Sequence, residues 1–312
     1  MDRLTENKLV LIVQSTRLDD LIARFNTRDQ ARFYIEHLGD DFSDYEAEDQ
    51  RYKARLREAK DLLATIGRLQ VVDRGFVPNF VFGERDTIVV LGRDGLVANV
   101  LKYLDTQPVL GVNPDPERWE GVLLPFSVPD LERVLPEVFA GERPIRRVTM
   151  AKATLNTGQA LYGVNDLFIG PRSHTSARYL IEVGEQQEFH SSSGIIVSTG
   201  LGSTGWLRSI IAGAVGIASA LSGQPVEPVG ERSFAWDARH LTFSVREPWP
   251  SRRSSAGITF GTITEDAPLR LVSRMPERGV IFSDGIEADY MAFNSGTSAT
   301  IGLADKTGHL VG

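Results

Sequence analysis

Apolar positions along the first 142 residues alternate between two rhythms. Residues 8–14 (KLVLIVQ), 69–72, 86–91 (DTIVVL) and 108–112 (PVLGV) are short runs with little polar alternation. Such runs predict strands covered on both faces of a parallel sheet. Between them the spacing lengthens. Thr27-Arg28-Asp29-Gln30 fits a capping box, with Phe33, Ile35 and Leu38 following on a helix. Acidic residues crowd 40–49 in a polar stretch read as a loop and a helix start. Leu56, Ala59, Leu63 and Ile66 then recur at i, i+3, i+7 and i+10, with Gly67 placed to close that helix. Leu96, Val97, Val100, Leu101 and Leu104 form one apolar stripe on another helix, and residues 130–139 read as a short one despite Pro136. Two connections are irregular, residues 74–85 and the proline-broken loop 113–121.

Beyond a boundary at Gly141-Glu142-Arg143-Pro144 the rhythm changes. Runs at 148–155, 167–169, 179–183, 195–198, 241–245, 258–263 and 269–273 are short strands divided by turn residues, and one helix at 206–221 interrupts them. A chain of 312 residues is long for one core. The expected architecture is α/β: a parallel-sheet domain over 1–142, then a β-rich domain over 143–312. No internal repeat or low-complexity tail is visible.

Charge and composition narrow the chemistry. With 42% hydrophobic and 24% charged residues the chain is an ordinary globular one, and its net charge of −7 would repel nucleic acid and anionic membranes. The basic pairs Arg146-Arg147 and Arg252-Arg253 are too short to reverse that. The chain has no cysteine, which excludes thiol chemistry, and its five histidines are scattered without ligand spacing, so no metal-ligating set is expected. The polar N-terminus lacks signal-peptide character, and no segment reads as approaching the ~20 apolar residues of a membrane span. A cytoplasmic protein without nucleic-acid or membrane partners is expected.

Three places could carry chemistry. The first is Gly92-Arg93-Asp94-Gly95, between a buried strand and a helix, where sheets of this kind bind ligands. Backbone N–H groups at that turn attract phosphate, and Asp94 could hold a metal or take a proton from a hydroxyl. The competing reading is a plain turn capping a helix. The second is Gly200-Leu201-Gly202-Ser203-Thr204-Gly205, a glycine-rich strand-to-helix turn that matches the dinucleotide fingerprint. The parallel partner strand with its acidic end is lacking, since Glu227 lies in the Pro/Gly-rich turn 225–230; alternatively Ser203 and Thr204 simply cap the helix. The third is Asn165-Asp166 at the head of a strand, which by itself also reads as a turn.

These pieces in this order resemble the NAD kinase family, and closely its mitochondrial-type branch. The resemblance is carried by Leu91-Gly92-Arg93-Asp94-Gly95, by Gly111-Val112-Asn113 with Asp115-Pro116-Glu117-Arg118 and Glu120-Gly121, by residues 164–170 (VNDLFIG), and by Ser192-Ser193-Gly194 through Gly202-Ser203-Thr204-Gly205-Trp206. It covers most of the chain from residue 8 to Asp284-Gly285. It implies a Rossmann-like, phosphofructokinase-like nucleotide-binding domain first, then a β-sandwich NAD-binding domain whose chain end can return to the first. It also implies that Asp94 is the base activating the adenosine 2′-hydroxyl of NAD, that Gly92 and Gly95 cradle phosphate, and that Asn165-Asp166 holds the adenosine. Gly202, Ser203 and Thr204 would contact NAD, Trp206 could stack a ring, and Asn113 belongs to the same set.

Two departures stand out: Arg93 replaces a glycine and Leu96 replaces a threonine. Arginine could obstruct the phosphates or supply them a cation. The resemblance implies an ATP-dependent kinase phosphorylating NAD(H) to NADP(H) in an interdomain cleft. ATP or polyphosphate would be the donor, Mg²⁺ would travel with the nucleotide, and the chain would form a homodimer or larger homo-oligomer. The alternatives are a catalytically silent NAD- or nucleotide-binding homologue and a kinase of the same superfamily acting on a lipid or sugar hydroxyl. A dehydrogenase built on Gly200–Gly205 is a more distant one, since no hydride-transfer partner residues are visible.

Overall fold

The computed structural model describes residues 4–227 and 233–312, so part of the 225–230 turn and the first three residues of the polar N-terminus lie outside the described residues. The chain divides into two units, one running to Arg146 and taking back His309–Gly312, the other Arg147–Gly308.

In the first unit β1 (Lys8–Val13), β2 (Arg68–Asp73), β3 (Thr87–Leu91) and β4 (Pro108–Val112) pair in parallel in the order β2-β1-β3-β4. His309 and Leu310, near the chain end, pair in parallel with β4. Leu9–Ile12 and all five residues of β3 are buried, as uninterrupted apolar runs require. The helices are α1 (Arg17–Phe25), α2 (Arg28–His37), α3 (Phe42–Ile66), α4 (Asp94–Leu101) and α5 (Leu131–Phe139). Tyr52, Ala59, Leu63 and Ile66 of α3 and Leu131, Val134 and Leu135 of α5 share a core with Leu9, Leu11, Val89, Leu91, Leu110 and Val112. Burying each such large aliphatic side chain contributes roughly 1.5–3 kcal/mol. All of Leu96–Leu101 in α4 is buried.

Several expectations in this unit are corrected. α1 was not among the expected elements, although Leu18, Leu21, Ile22 and Phe25 mark one apolar face; it carries the reciprocal capping box: Thr16 Oγ accepts from Asp19 N, and Asp19 Oδ2 accepts from Thr16 N. Thr27 does cap α2 by accepting from Gln30 N, but Phe33 and Leu38 are exposed and only Ala31 and Ile35 face inward. The acidic stretch 40–49 is largely the start of α3, capped by Asp41, with its carboxylates neutralised by arginines from elsewhere in the unit.

The second unit is a β-sandwich. Its strands are β5 (Ile145–Leu155), β6 (Ala160–Gly163), β7 (Asp166–Pro171), β8 (Ala177–Val183), β9 (Gln186–Ser192), β10 (Ile195–Ser198), β11 (Leu241–Val245), β12 (Phe260–Ile263), β13 (Leu269–Ser273), β14 (Gly279–Ser283), β15 (Ile286–Ala292) and β16 (Ser298–Val311). One sheet runs β16-β13-β8-β9, with β5 on β16 and β6 on β5; the other runs β12-β11-β10-β7-β14-β15. Both are antiparallel through the registers of this unit. Inward residues of both sheets, among them Leu167, Ile169, Val197 and Phe243 against Tyr179, Ile181, Leu271 and Ile301, form one core.

The helix α6 (Trp206–Ser222) lays Trp206 and Ile210 on the outer face of the second sheet, against Phe168, Ile196 and Val280. Together with the 3₁₀ turn before it, the helical segment Gly202–Ser222 has 21 residues, long and apolar enough by composition to cross a membrane. This corrects the expectation that no segment approaches that length, by length and composition only, since Gly205 divides the turn from α6. Its opening turn is engaged with the sheet through Trp206, Leu207 and Ile210.

Candidate functional site

Asp94 is the first residue of α4, at the carboxyl end of β3. Its Oδ1 accepts from Leu123 N at 2.8 Å and its Oδ2 from Val122 N at 3.2 Å. A carboxylate has about four acceptor positions, so two stay available on this group. The held segment belongs to the loop after β4. Buried Asn113 closes that loop, its Nδ2 donating to Trp119 O at 2.8 Å and its Oδ1 accepting from Asp115 N at 3.0 Å.

The two glycines of the turn differ in kind. A Cβ on Gly95 would meet nothing within 4 Å, whereas one on Gly92 would lie 2.8 Å from Leu96 Cδ2. Leu96, one of the two departures, therefore fills the space beside Gly92, and the open side of the turn is at Gly95. Arg93 turns towards α3. Its Nη2 lies 2.7 Å from Glu48 Oε1, and its guanidinium stacks over Trp119 at 4.3 Å. Glu48 also pairs with Arg17, while Arg118 and Arg17 share Asp44. Bonds from Arg118 and Arg17 pull the Asp44 carboxyl down to about 2. Arg93 is thus a member of an ion-pair network bracing the loop after β4.

In the second unit the structure brings two motifs together. Gly202 packs on Asn165 so closely that a Cβ would stand 2.1 Å from Asn165 O, and Thr199 ties the same turn by donating to Val164 O at 2.5 Å and accepting from Gly202 N at 3.2 Å. The carboxylate of Asp284 accepts backbone N–H bonds from Val164, Asn165 and Asp166 at 2.6–3.3 Å. Asp284 reaches this from a left-handed backbone, φ 54°, before Gly285. In the sequence Asp284 marks only the limit of the resemblance and is not an expected site member. Its Asp-Gly turn was the signal that could have found it.

Asp166 faces the opposite situation. Its Oδ1 is buried without a hydrogen-bond partner. Burial, reinforced by the charge of Asp284 and opposed by a hydrogen bond with Ser198, pushes its carboxyl up to about 7. A carboxyl so placed is ready to exchange hydrogen bonds with a ligand hydroxyl.

Ser203 and Thr204 do not cap α6. The cap is Gly205 without a side-chain bond; buried Ser203 donates to Gly200 O at 2.7 Å and accepts from Phe234 N at 3.2 Å, and Thr204 is exposed. Nor is this a dinucleotide fingerprint, because β10 pairs antiparallel on both sides. Trp206 stacks on Phe168 with centroids 6.0 Å apart and Arg246 over its ring at 5.6 Å. Among the described residues no group of three or more His, Cys, Asp or Glu side chains could hold a metal.

No family model matches the chain. In sequence it is similar to the NAD kinase of Chlorobaculum tepidum, 27% identical over 127 residues, and to that of Chlorobium phaeobacteroides, 30% identical over 132 residues. Each match covers 40% of this chain and 44% of the relative, so the chain spans less than half the length of the curated relatives it matches. In structure it is similar to an NAD kinase from Archaeoglobus fulgidus in complex with ATP, with TM-score 0.56 and 16% identity over 98% of this chain and 93% of that one. It is similar too to yeast NADH kinase complexed with NADH, with TM-score 0.57 and 16% identity over 98% and 84%. The chain has the fold of the NAD kinases and is related to them in sequence along the matched stretch.

Proposed function

We propose that this protein is a kinase that moves the terminal phosphoryl group of ATP onto the adenosine 2′-hydroxyl of NAD(H), giving NADP(H). The observation that carries the reading is the position of Asp94, a carboxylate with acceptor capacity to spare beside the open side of the turn at Gly95. Asp94 takes the hydroxyl proton as the 2′-oxygen attacks phosphorus. Its two bonds to the loop fix the carboxylate's direction, which matters because positioning supplies much of catalysis in phosphoryl transfer. The open side of Gly95 suits phosphate oxygens approaching the first N–H groups of α4.

A divalent cation carried by ATP, such as Mg²⁺, would supply charge neutralisation on the transferred group, with its ligands coming chiefly from the phosphates and water. Asn165 and Asp166 hold the adenosine ribose, the orphan Oδ1 of Asp166 accepting a ribose hydroxyl. Self-association is part of the proposal, supported by the exposed apolar flank of α6, where Ile217 and Leu221 are 64% and 85% exposed.

The second reading, a silent nucleotide-binding homologue, rests on Arg93. The guanidinium's engagement with Glu48 and Trp119 argues for a bracing role instead. The test is NADP formation from ATP and NAD by wild type and Asp94→Asn. Turnover that vanishes with the carboxylate supports the kinase. NAD binding in calorimetry with no turnover in either protein would favour the silent homologue.

A further inference from the structure

The second unit holds a pocket of about 520 Å³ that no part of the kinase proposal uses. Its floor is the β8–β9 pair, where Tyr179 and His190 stand in register, their rings 5.5 Å apart, with the Tyr179 hydroxyl 2.8 Å from Ser192 Oγ. Its wall is the strap 249–258, fastened along β9 by Trp249 N to Ser191 O at 2.8 Å, Ser255 N to Phe189 O at 2.9 Å, and Gly257 N and Ile258 N to Glu188 at 3.0 and 3.1 Å. This lies away from Asn165-Asp166. β7 begins at Asp166 opposite Ser198 and reaches Ile169 opposite Ile195, so the turn before β10 is at the other end of a six-residue strand, roughly 17 Å along it.

Three observations ask for a ligand here. First, Arg178, Arg253 and Arg274 all line the pocket, and none of them pairs with a carboxylate among the described residues. In a chain of net charge −7 such a convergence is uncompensated positive charge, and like charges gathered at one rim repel until an anion arrives.

Second, the rim carries large aromatic faces. Trp249 is 68% exposed and Phe189 50%, with the Arg274 guanidinium 5.7 Å over the Phe189 ring.

Third, His190 is 97% buried by its 3% exposure, yet its Nδ1 has no partner. Its Nε2 lies 2.9 Å from Glu188 Oε2. Burial pushes the Glu188 carboxyl up, but bonds from His190, Ile258 and Gly257 outweigh it and hold the group below its ordinary range. The carboxylate accepts from Nε2–H, which leaves the buried Nδ1 of a pocket-lining residue without a partner.

We propose that this pocket is a second ligand site, built for a nucleoside di- or triphosphate: the three arginines take the phosphates, Trp249 or Phe189 stacks the base, and His190 Nδ1 meets a ligand hydroxyl or phosphate oxygen. The site is independent of the kinase reading and uses none of its residues.

The test titrates ADP, inorganic pyrophosphate and adenosine into the full chain at low salt, following both heat and tryptophan fluorescence. ADP should bind more tightly than pyrophosphate, adenosine much more weakly than either, and Trp249→Phe should remove the part of the ADP-dependent quenching that the arginine substitutions also remove. Arg253→Gln with Arg274→Gln removes two exposed guanidiniums, each charge-assisted bond being worth about tenfold, so ADP affinity at this site should fall about 100-fold. NADP formation, measured on the same double variant, should be unchanged from wild type. A chain that makes no NADP but shows ADP binding dependent on Arg253 and Arg274 upholds the site and removes only the kinase proposal. ADP binding to the full chain whose affinity has no component sensitive to the arginine substitutions overturns the site. Pyrophosphate binding as tightly as ADP overturns the nucleoside part and leaves a bare phosphate pocket.

Discussion

Replacing Asp166 by Asn should make the protein more stable and a poorer ligand binder. Burial raises the Asp166 carboxyl from 3.8 to about 7 in the folded chain. Three pKa units correspond to about 4 kcal/mol, and water reaching this partly exposed side chain reduces the working figure to about 2–4 kcal/mol. A folded-state pKa above the unfolded one means that the native chain holds the proton more tightly. The Asp166 contribution is therefore fully present below pH 4 and is lost as pH rises through about 7.

Asparagine never ionises, so the stability difference between Asp166→Asn and wild type should be small near pH 4 and grow to that full amount by pH 8. Urea unfolding of both proteins between pH 4 and 8 measures it. The same variant gives up the carboxylate that the proposed ribose contact uses, and NAD affinity should fall about tenfold, one charge-assisted hydrogen bond. Stability curves that stay parallel across the pH range, or a variant less stable at pH 8, would refute the reasoning that Asp166 is buried at a cost relieved by ligand.

Arg93→Gly restores the glycine that the resembled family carries, yet should destabilise the first unit by about 1–2 kcal/mol. It loses a half-exposed ion pair with Glu48, the stack on Trp119, and chain entropy at the cap of α4; thermal unfolding reads this, and a raised melting temperature would contradict it. Gly202→Ala should prevent the second unit from folding or cost more than about 3 kcal/mol, because its Cβ would stand 2.1 Å from backbone oxygen of Asn165; a soluble variant with native circular dichroism and unchanged melting would contradict it.

The centre of the parallel sheet was legible because β1 and β3 are buried on both faces and so lose polar alternation: KLVLIV and TIVVL are too short for helices and rich in β-branched residues. Polar strands escaped. β9, QQEFHSS, is edged by the strap 249–258 and keeps only His190 and Ser192 buried, so no apolar rhythm marks it. β15, IEADYMA, fails likewise, with only Met291 buried. α1 is missing from the expected elements although it carries a readable signal: Leu18, Leu21, Ile22 and Phe25 recur at i, i+3, i+4 and i+7 and pack with Ala31, Ile35 and Phe42, while Thr16 and Asp19 cap the helix.

At the site, Asp94 and the Asn165-Asp166 pair could be located from glycines and turn residues near strand ends. What could not be read is which partners those side chains take. Arg93 binding Glu48 joins residues 45 apart in sequence, and Asp284 bracing the head of β7 joins residues more than a hundred apart. Trp119 under Arg93, and the strap that makes the arginine pocket, are likewise products of tertiary closure with no local signature.

The measurement that bears most directly on the kinase proposal is NADP formation from ATP, Mg²⁺ and NAD by purified wild-type protein and Asp94→Asn, both shown to be folded. The account predicts turnover in wild type and a loss of about 10²–10⁴-fold when the base is removed. Equal turnover in the two proteins would remove Asp94 from the chemistry, and no phosphoryl transfer to NAD or NADH in wild type would contradict the proposed activity.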